Sequence, residues 1–276
     1  MLLQTESAAS SKIENLTASA RAIAEAETLG NTKRHNASMI VANTRAMRAA
    51  IDLADQVSGD AILAIHEALM HDSEPAIAGK WRTEQVWIGG GNFGPRGADF
   101  IAPQQDRIPC AIDDLIRFAK RSDIAVLAHI AIAHAQFETI HPFPDGNGRT
   151  GRALIQSMLR NKRLTRQVTV PVSAGLLIDT SSYFQALTAY REGDPAPIVQ
   201  RLSEASMLAV VNGRQLVSDQ LNIAINNVYR YVDPLVESKI IVEFTHQARN
   251  RAWRAPDVLD ALDAFAERAG RRAPLA

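Results

Sequence analysis

Apolar positions along this chain recur at helical spacing, and stretches that alternate apolar with polar are scarce. From Ser10 to Glu27, the residues Ile13, Leu16, Ala20 and Ile23 fall on one stripe, which predicts a helix. Residues 36–69 predict two more, broken near Ser58-Gly59. Arg82 to Ile88 reads as a strand that runs into Gly89-Gly90-Gly91-Asn92, a turn no helix would hold. A small hairpin is therefore expected on a helical body. Pro109 to Lys120 and Ile124 to Glu138 predict helices, the second apolar enough to lie at the centre of the core. Two prolines and two glycines in 141–148 break the pattern, and helix resumes at 149–161. Two further helices, 179–192 and 195–212, are divided by Gly193-Asp194-Pro195, with proline at a helix start. Residues 213–276 differ in texture: a helix over 219–238, the short strands KIIVEFT and RNRAWRA, and a last helix from Asp257. That order is the second half of a winged helix.

Composition narrows the field. The chain has 276 residues, room for one large domain and a small appendage, and 46% of them are apolar. The 30 basic residues balance 30 acidic ones, so no global field points to nucleic acid or membrane. Cys110 is the single cysteine, which rules out a disulfide within the chain and suits a reducing cytoplasm. The opening MLLQTESAASSKIEN has neither a basic n-region nor an apolar h-region, and no apolar run reaches the ~20 residues of a membrane span, so a cytoplasmic protein without membrane contact is expected.

The chemistry gathers in twelve residues, His141-Pro142-Phe143-Pro144-Asp145-Gly146-Asn147-Gly148-Arg149-Thr150-Gly151-Arg152. A glycine-rich turn that opens a helix presents backbone N–H groups and the positive end of the helix dipole, an anion site. Arg149 and Arg152, three apart on the new helix, are neighbours on its surface and suggest a polyphosphate. Asp145 is a hard oxygen ligand next to that anion, as a Mg²⁺ ion bridging two phosphates requires. His141, just before the turn, can act as a general base near neutral pH. Phe143 would pin the loop to the core. Base, metal ligand, anion cradle and cationic clamp together describe phosphoryl or nucleotidyl transfer. Gly146 to Gly151 has the glycine spacing of a P-loop, but Arg152-Ala153 stands where that motif needs Lys and Ser/Thr, and a helix precedes it in place of a strand.

The segment matches every specified position of the Fic signature, His-Pro-Phe-x-Asp/Glu-Gly-Asn-Gly-Arg-x-x-Arg, and the chain resembles the Fic (filamentation induced by cAMP) family over residues 5–212. AHAQFETIHPF leads into the signature, GKWRTEQVWIGG at 79–90 resembles the family's substrate-binding flap, and SSYFQALTAYREGD at 181–194 is similar to the helix that closes its adenine pocket. The resemblance implies a Fic-type helical bundle with a β-hairpin flap at 31–212, an inhibitory helix region at 1–30 and a winged-helix-like module at 213–276. It implies an adenylyltransferase that moves AMP from ATP to a Ser, Thr or Tyr hydroxyl of a target protein. His141 would deprotonate that hydroxyl, Asp145 would hold Mg²⁺, and the backbone of Gly146, Asn147 and Gly148 would form the anion hole. Arg149 would support the phosphates and Arg152 would clamp the γ-phosphate, with Thr150 and Gly151 between them. Val86, Trp87, Ile88 and Gly89 would pair with the target or line the nucleotide site, and Tyr183 and Arg191 would lie near the base. The related Doc kinases carry Lys at the Gly148 position and transfer the γ-phosphate, so Gly favours AMP transfer.

Ser10-Ser11-Lys12-Ile13-Glu14-Asn15 fits the family's inhibitory pattern, Ser/Thr-x-x-x-Glu-Gly/Asn. Carried over, Glu14 would pair with Arg152 and displace the γ-phosphate. The same glutamate can position water, so removal of AMP from a modified protein is a second reading. A nucleotide-sensing or DNA-binding regulator with a Fic core of low activity is a third, through the basic edge of Arg249, Arg251 and Arg254. The resemblance also implies a homodimer. His66-Glu67 does not form His-Glu-x-x-His, and His129 and His134, on the apolar helix, read as core or supporting residues.

Overall fold

The structure is a computed structural model, and it describes residues 2–30, 34–90, 94–165 and 169–220, with the pairs 242–243 and 253–254. Its order is α1 (Leu2–Ile13), α2 (Ala20–Leu29), α3 (His35–Asp52), α4 (Gly59–Met70), β1 (Trp87–Ile88), β2 (Phe100–Ile101), α5 (Ile108–Ala119), α6 (Val126–Ile140), α7 (Asn147–Asn161), α8 (Val172–Leu176), α9 (Thr180–Arg191), α10 (Ala196–Gln220), β3 (Val242–Glu243) and β4 (Trp253–Arg254). The mostly helical fold with one flap hairpin is as the periodicity predicts. β1 and β2 pair antiparallel, Trp87 against Ile101 and Ile88 against Phe100. β3 and β4 pair likewise and fall within the two tail strands read from the sequence. The helix expected from Asp257 and the basic residues Arg249 and Arg251 lie outside the described residues, as does most of the helix expected over 219–238.

Helices α6 and α7 form the centre. α6 packs on α5, α7, α9 and α10, while α3 packs on α1, α2, α4 and α7, so α7 joins the two groups. α6 earns this place by composition: Ile130, Ala131, Ala133, Ala135 and Phe137 are all fully buried, and its alanines let neighbours approach closely. Both of its histidines are buried with partners. His129 Nε2 donates to Phe118 O at 2.7 Å. His134 Nδ1 donates to Gly151 O at 3.1 Å, which leaves its Nε2 to accept from the Tyr183 hydroxyl at 2.8 Å.

Three sequence expectations change. The single helix over 10–27 is two helices, because Asn15 takes a left-handed φ of 61° and Ser19 caps α2 by accepting from Ala22 N. The break expected after residue 212 is absent, and α10 runs on to Gln220, through the boundary between the core and the tail module. The strand over 82–88 contracts to Trp87–Ile88, since Arg82 is occupied elsewhere.

Candidate active site

The site is built where α6 stops and α7 begins. α6 ends at His141, which adopts a left-handed conformation, φ 48° and ψ 60°, with Pro142 after it. A non-glycine residue there costs roughly 1 kcal/mol, so the surroundings must hold it. Arg82 does so. Its Nε donates to His141 O at 2.8 Å, its backbone N–H to Pro142 O at 2.9 Å, and its guanidinium also reaches the carbonyls of Glu84, Pro103 and Ile140. One buried arginine thereby ties the loop to the segment that leads into the hairpin.

The loop is closed by side chains. Asn147 Oδ1 accepts from Phe143 N–H at 2.9 Å, and its Nδ2 donates to Phe143 O at 2.8 Å. The Phe143 ring is fully buried and stacks flat on His66 at 3.7 Å and against Trp81 at 5.0 Å. Gly79 N–H donates to His66 Nδ1 at 3.1 Å, which leaves Nε2 to donate to Asp145 O at 3.0 Å. Burial lowers the His66 pKa to about 4, so the ring stays neutral in that tautomer. Gly146 caps α7 with φ 76°, and a Cβ there would press on Leu69, Met70 and His66. The first turn of α7 then leaves the N–H groups of Asn147, Gly148 and Arg149 without intrahelical acceptors, an anion cradle.

Each arginine of the cradle meets one carboxylate. Arg149, 4% exposed, lies 3.3 Å from Asp145. Arg152, 1% exposed, donates to Glu14 Oε1 at 2.6 Å and to the hydroxyl and carbonyl of Ser10 at 2.9 and 3.0 Å. Burial works to push the Glu14 carboxyl up, but the charge and hydrogen bond of Arg152, with Arg149 behind it, hold it below its ordinary value. Gly148 makes the contact possible, because a Cβ on it would overlap Glu14 Oε1. His141 is largely buried, and burial drops its pKa to about 4. Its Nδ1 has no hydrogen-bond partner among the described residues, and the Glu138 carbonyl faces the ring. Glu138 itself is 5% exposed, its Oε1 meets no donor among the described residues, and burial pushes its carboxyl up to about 7.

The structure thus brings His141, Asp145, Gly146, Asn147, Gly148, Arg149, Arg152 and Glu14 together. Thr150 and Gly151 do not face the cradle: Thr150 is fully buried and Gly151 packs on Glu138 and Phe137. Tyr183 is 1% exposed and bound to His134 behind Arg152, so it lies within the core and is not an open surface for a base. Arg191 stacks its guanidinium 3.7 Å over Phe100 of β2 and joins α9 to the hairpin. On the hairpin, Val86 O accepts from Ala102 N–H, Ile88 O accepts from Asp99 N–H, Trp87 pairs with Ile101 and Gly89 turns with φ 75°. Sequence reading missed Arg82, His66 and Glu138, whose partners lie far along the chain or in buried space that no local pattern encodes.

Asp145 keeps a well-exposed carboxylate, 55%, beside the cradle and is not engaged with Arg152 as Glu14 is. Among the described residues no three His, Cys, Asp or Glu groups cluster to hold a metal by themselves. One carboxylate next to an anion site fits a Mg²⁺ ion that completes its sphere with phosphate oxygens and water. No described helix is long and apolar enough to cross a membrane.

Comparison with known proteins gives concordant matches. Residues 56–159 match the model of the Fic/DOC family. The chain is 29% identical over 170 residues to protein adenylyltransferase fic-1 of Caenorhabditis elegans, covering 60% of this chain and 31% of that protein. It is 29% identical over 145 residues to protein adenylyltransferase Fic of Drosophila willistoni, covering 52% of this chain and 27% of that one. The chain therefore spans less than a third of the length of these relatives. In fold it is similar to a Fic family protein from Desulfovibrio desulfuricans, with a TM-score of 0.63, 24% identity and coverage of 92% of this chain and 86% of that one. It is also similar to a Fic-1 fragment from C. elegans, with a TM-score of 0.55, 21% identity and coverage of 85% and 64%.

Proposed function

Since residues 56–159 of this chain are a Fic domain, we propose that the protein transfers AMP from ATP to a hydroxyl side chain of a target protein and that Glu14 restrains the reaction. The observation that carries this reading is the convergence on one helix N-terminus of a neutral imidazole, an anion cradle and two buried arginines. The target hydroxyl oxygen attacks the α-phosphorus, the bond to the β-phosphate oxygen breaks and pyrophosphate leaves. The hydroxyl proton passes to His141, whose pKa near 4 keeps it unprotonated at neutral pH. The N–H groups of Asn147, Gly148 and Arg149 meet charge developing on the phosphate. Arg149 and Arg152 orient the triphosphate. Asp145 would hold a Mg²⁺ ion, which neutralises phosphate charge when bound.

Glu14 occupies the Arg152 guanidinium that a γ-phosphate would take. The intact chain is therefore expected to transfer slowly. With ATP labelled on its α-phosphate, Glu14→Gly should label itself or lysate proteins more strongly than wild type. His141→Ala in that background should lower labelling by ~10²-fold or more, as for loss of a positioned general base. Equal labelling by wild type and Glu14→Gly overturns the restraint, and labelling that survives His141→Ala overturns the mechanism.

One observation favours a second activity at the same site. The Glu14 carboxyl is held ionised beside the cradle and is 39% exposed, so it can orient a water toward a phosphate diester. Release of AMP from a modified protein that stops in Glu14→Gly would support removal, and unchanged release would overturn it.

A further inference from the structure

Helix α1, which delivers Glu14, is seated in an unusual way. Of its seven buried residues, five are polar: Thr5, Glu6, Ser7, Ser10 and Ser11. Only Ala9 and Ile13 are apolar, and full burial of such side chains gives roughly 1 to 3 kcal/mol each. Polar contacts must therefore set its register. Ser7 donates to Ile40 O at 2.8 Å, and Asn43 Nδ2 donates to Ser7 O and Ser11 Oγ at 3.0 and 3.1 Å. These neutral contacts hold the middle of α1 to α3.

Glu6 makes the contacts of another kind. It is fully buried, and its carboxylate accepts three hydrogen bonds: from Ser173 N–H at 2.8 Å, from Ser173 Oγ at 2.7 Å and from Gln156 Nε2 at 3.0 Å. Gln156 lies one turn beyond Arg152 on α7, and Ser173 stands in the first turn of α8. Among the described residues no lysine or arginine pairs with Glu6 directly, so donors from Ser173 and Gln156 offset the cost of burying it, although burial still raises its pKa to about 7. α1 and the residue just past its end thus grip α7 at two levels, through Glu6 on Gln156 and, one turn earlier on α7, through Ser10 and Glu14 on Arg152.

We infer that Glu6 is a positioning residue of the restraint: by anchoring α1 to Gln156 and Ser173, it holds the helix in the register that presents Glu14 to Arg152. The inference rests on the restraint assigned to Glu14 above. The restraint then has two carboxylates, one on the phosphate clamp and one that fixes the helix carrying it. Loosening the second should free the first without touching the cradle.

The test uses the full chain with α-labelled ATP and compares wild type, Glu6→Ala, Glu14→Gly and the double variant. Glu6→Ala should raise transfer by about five- to ten-fold, the scale of one lost hydrogen bond, and not beyond Glu14→Gly. In the Glu14→Gly background the same substitution should change the rate by less than about two-fold, because coupled residues are not additive. Glu6→Gln, which keeps one oxygen acceptor, should fall between wild type and Glu6→Ala. Hydrogen exchange gives a readout apart from activity: amides of residues 2–14 should exchange faster in Glu6→Ala, with α6 and α7 unchanged. If Glu6→Ala fails to fold, Ser173→Ala, which removes one donor and no charge, decides by the same comparison. An active Glu14→Gly beside a Glu6→Ala or Ser173→Ala no faster than wild type overturns the anchor alone. Equal rate loss in both backgrounds overturns it in favour of a merely structural role. A silent Glu14→Gly overturns the restraint and the anchor with it.

Discussion

Glu138 sits three residues before His141 with a carboxyl oxygen that meets no donor among the described residues. Burial raises its pKa to about 7 from 4.5, with the Arg152 charge pulling the other way and Glu14 adding to the rise. A raised carboxyl contributes stability that is present below 4.5 and is lost as pH rises through 7. Glu138→Gln removes that dependence while keeping the shape. Its unfolding free energy relative to wild type should therefore be more favourable at pH 8 than at pH 6, by about 1 kcal/mol. A constant difference across that range would show that Glu138 does not titrate there. His141 behaves in the opposite sense. Its pKa near 4 leaves it neutral from well below pH 6 upward, so transfer by Glu14→Gly should not fall as pH drops from 8 to 6.

At the scale of elements, the hairpin is too short to stand alone, with two residues in each strand. It is held at both ends by arginines: Arg82 on the loop carbonyls and Arg191 on Phe100. Arg82→Ala should leave several buried carbonyls without donors and cost roughly 3 kcal/mol or more. Hydrogen exchange across 86–102 should quicken, and target labelling should fall further than ATP affinity. Arg82→Lys should rescue little, since an ammonium lacks the planar fork that spans several acceptors. Unchanged exchange in Arg82→Ala would remove the role given to it. Sequence reading found the hairpin from its glycines, yet it read Arg82 as part of the strand. A strand pattern records alternation on one segment and carries no information on carbonyls sixty residues away.

Across the whole molecule, Phe143 is the meeting point. Its ring touches His66 from α4, Trp81 from the segment before the hairpin and Phe137 from α6. Phe143→Ala should lower the unfolding free energy by about 3 to 5 kcal/mol in urea, as a large cavity would, and in one transition because the elements share the ring. A loss under about 1 kcal/mol would mean that the loop is pinned by other means. The twelve-residue segment at 141–152 was legible because its chemistry is local: glycines for the turn, a helix start for the cradle, and arginines one turn apart. Helical pattern likewise gave part of the core, since α5 shows one apolar face and α6 is apolar nearly throughout.

The sequence alone determined which groups would form the cradle and that a Ser-x-x-x-Glu segment preceded it. Tertiary structure alone decided which carboxylate each arginine meets, that Tyr183 lies behind the clamp, that Thr150 and Gly151 face away from the cradle, and that Glu6, Arg82, His66 and Glu138 support the site. The physical reason is range. Turn geometry and helix periodicity act between residues a few positions apart, whereas burial and hydrogen bonding act between groups that only the packed chain brings within 3 Å, such as Glu14 and Arg152.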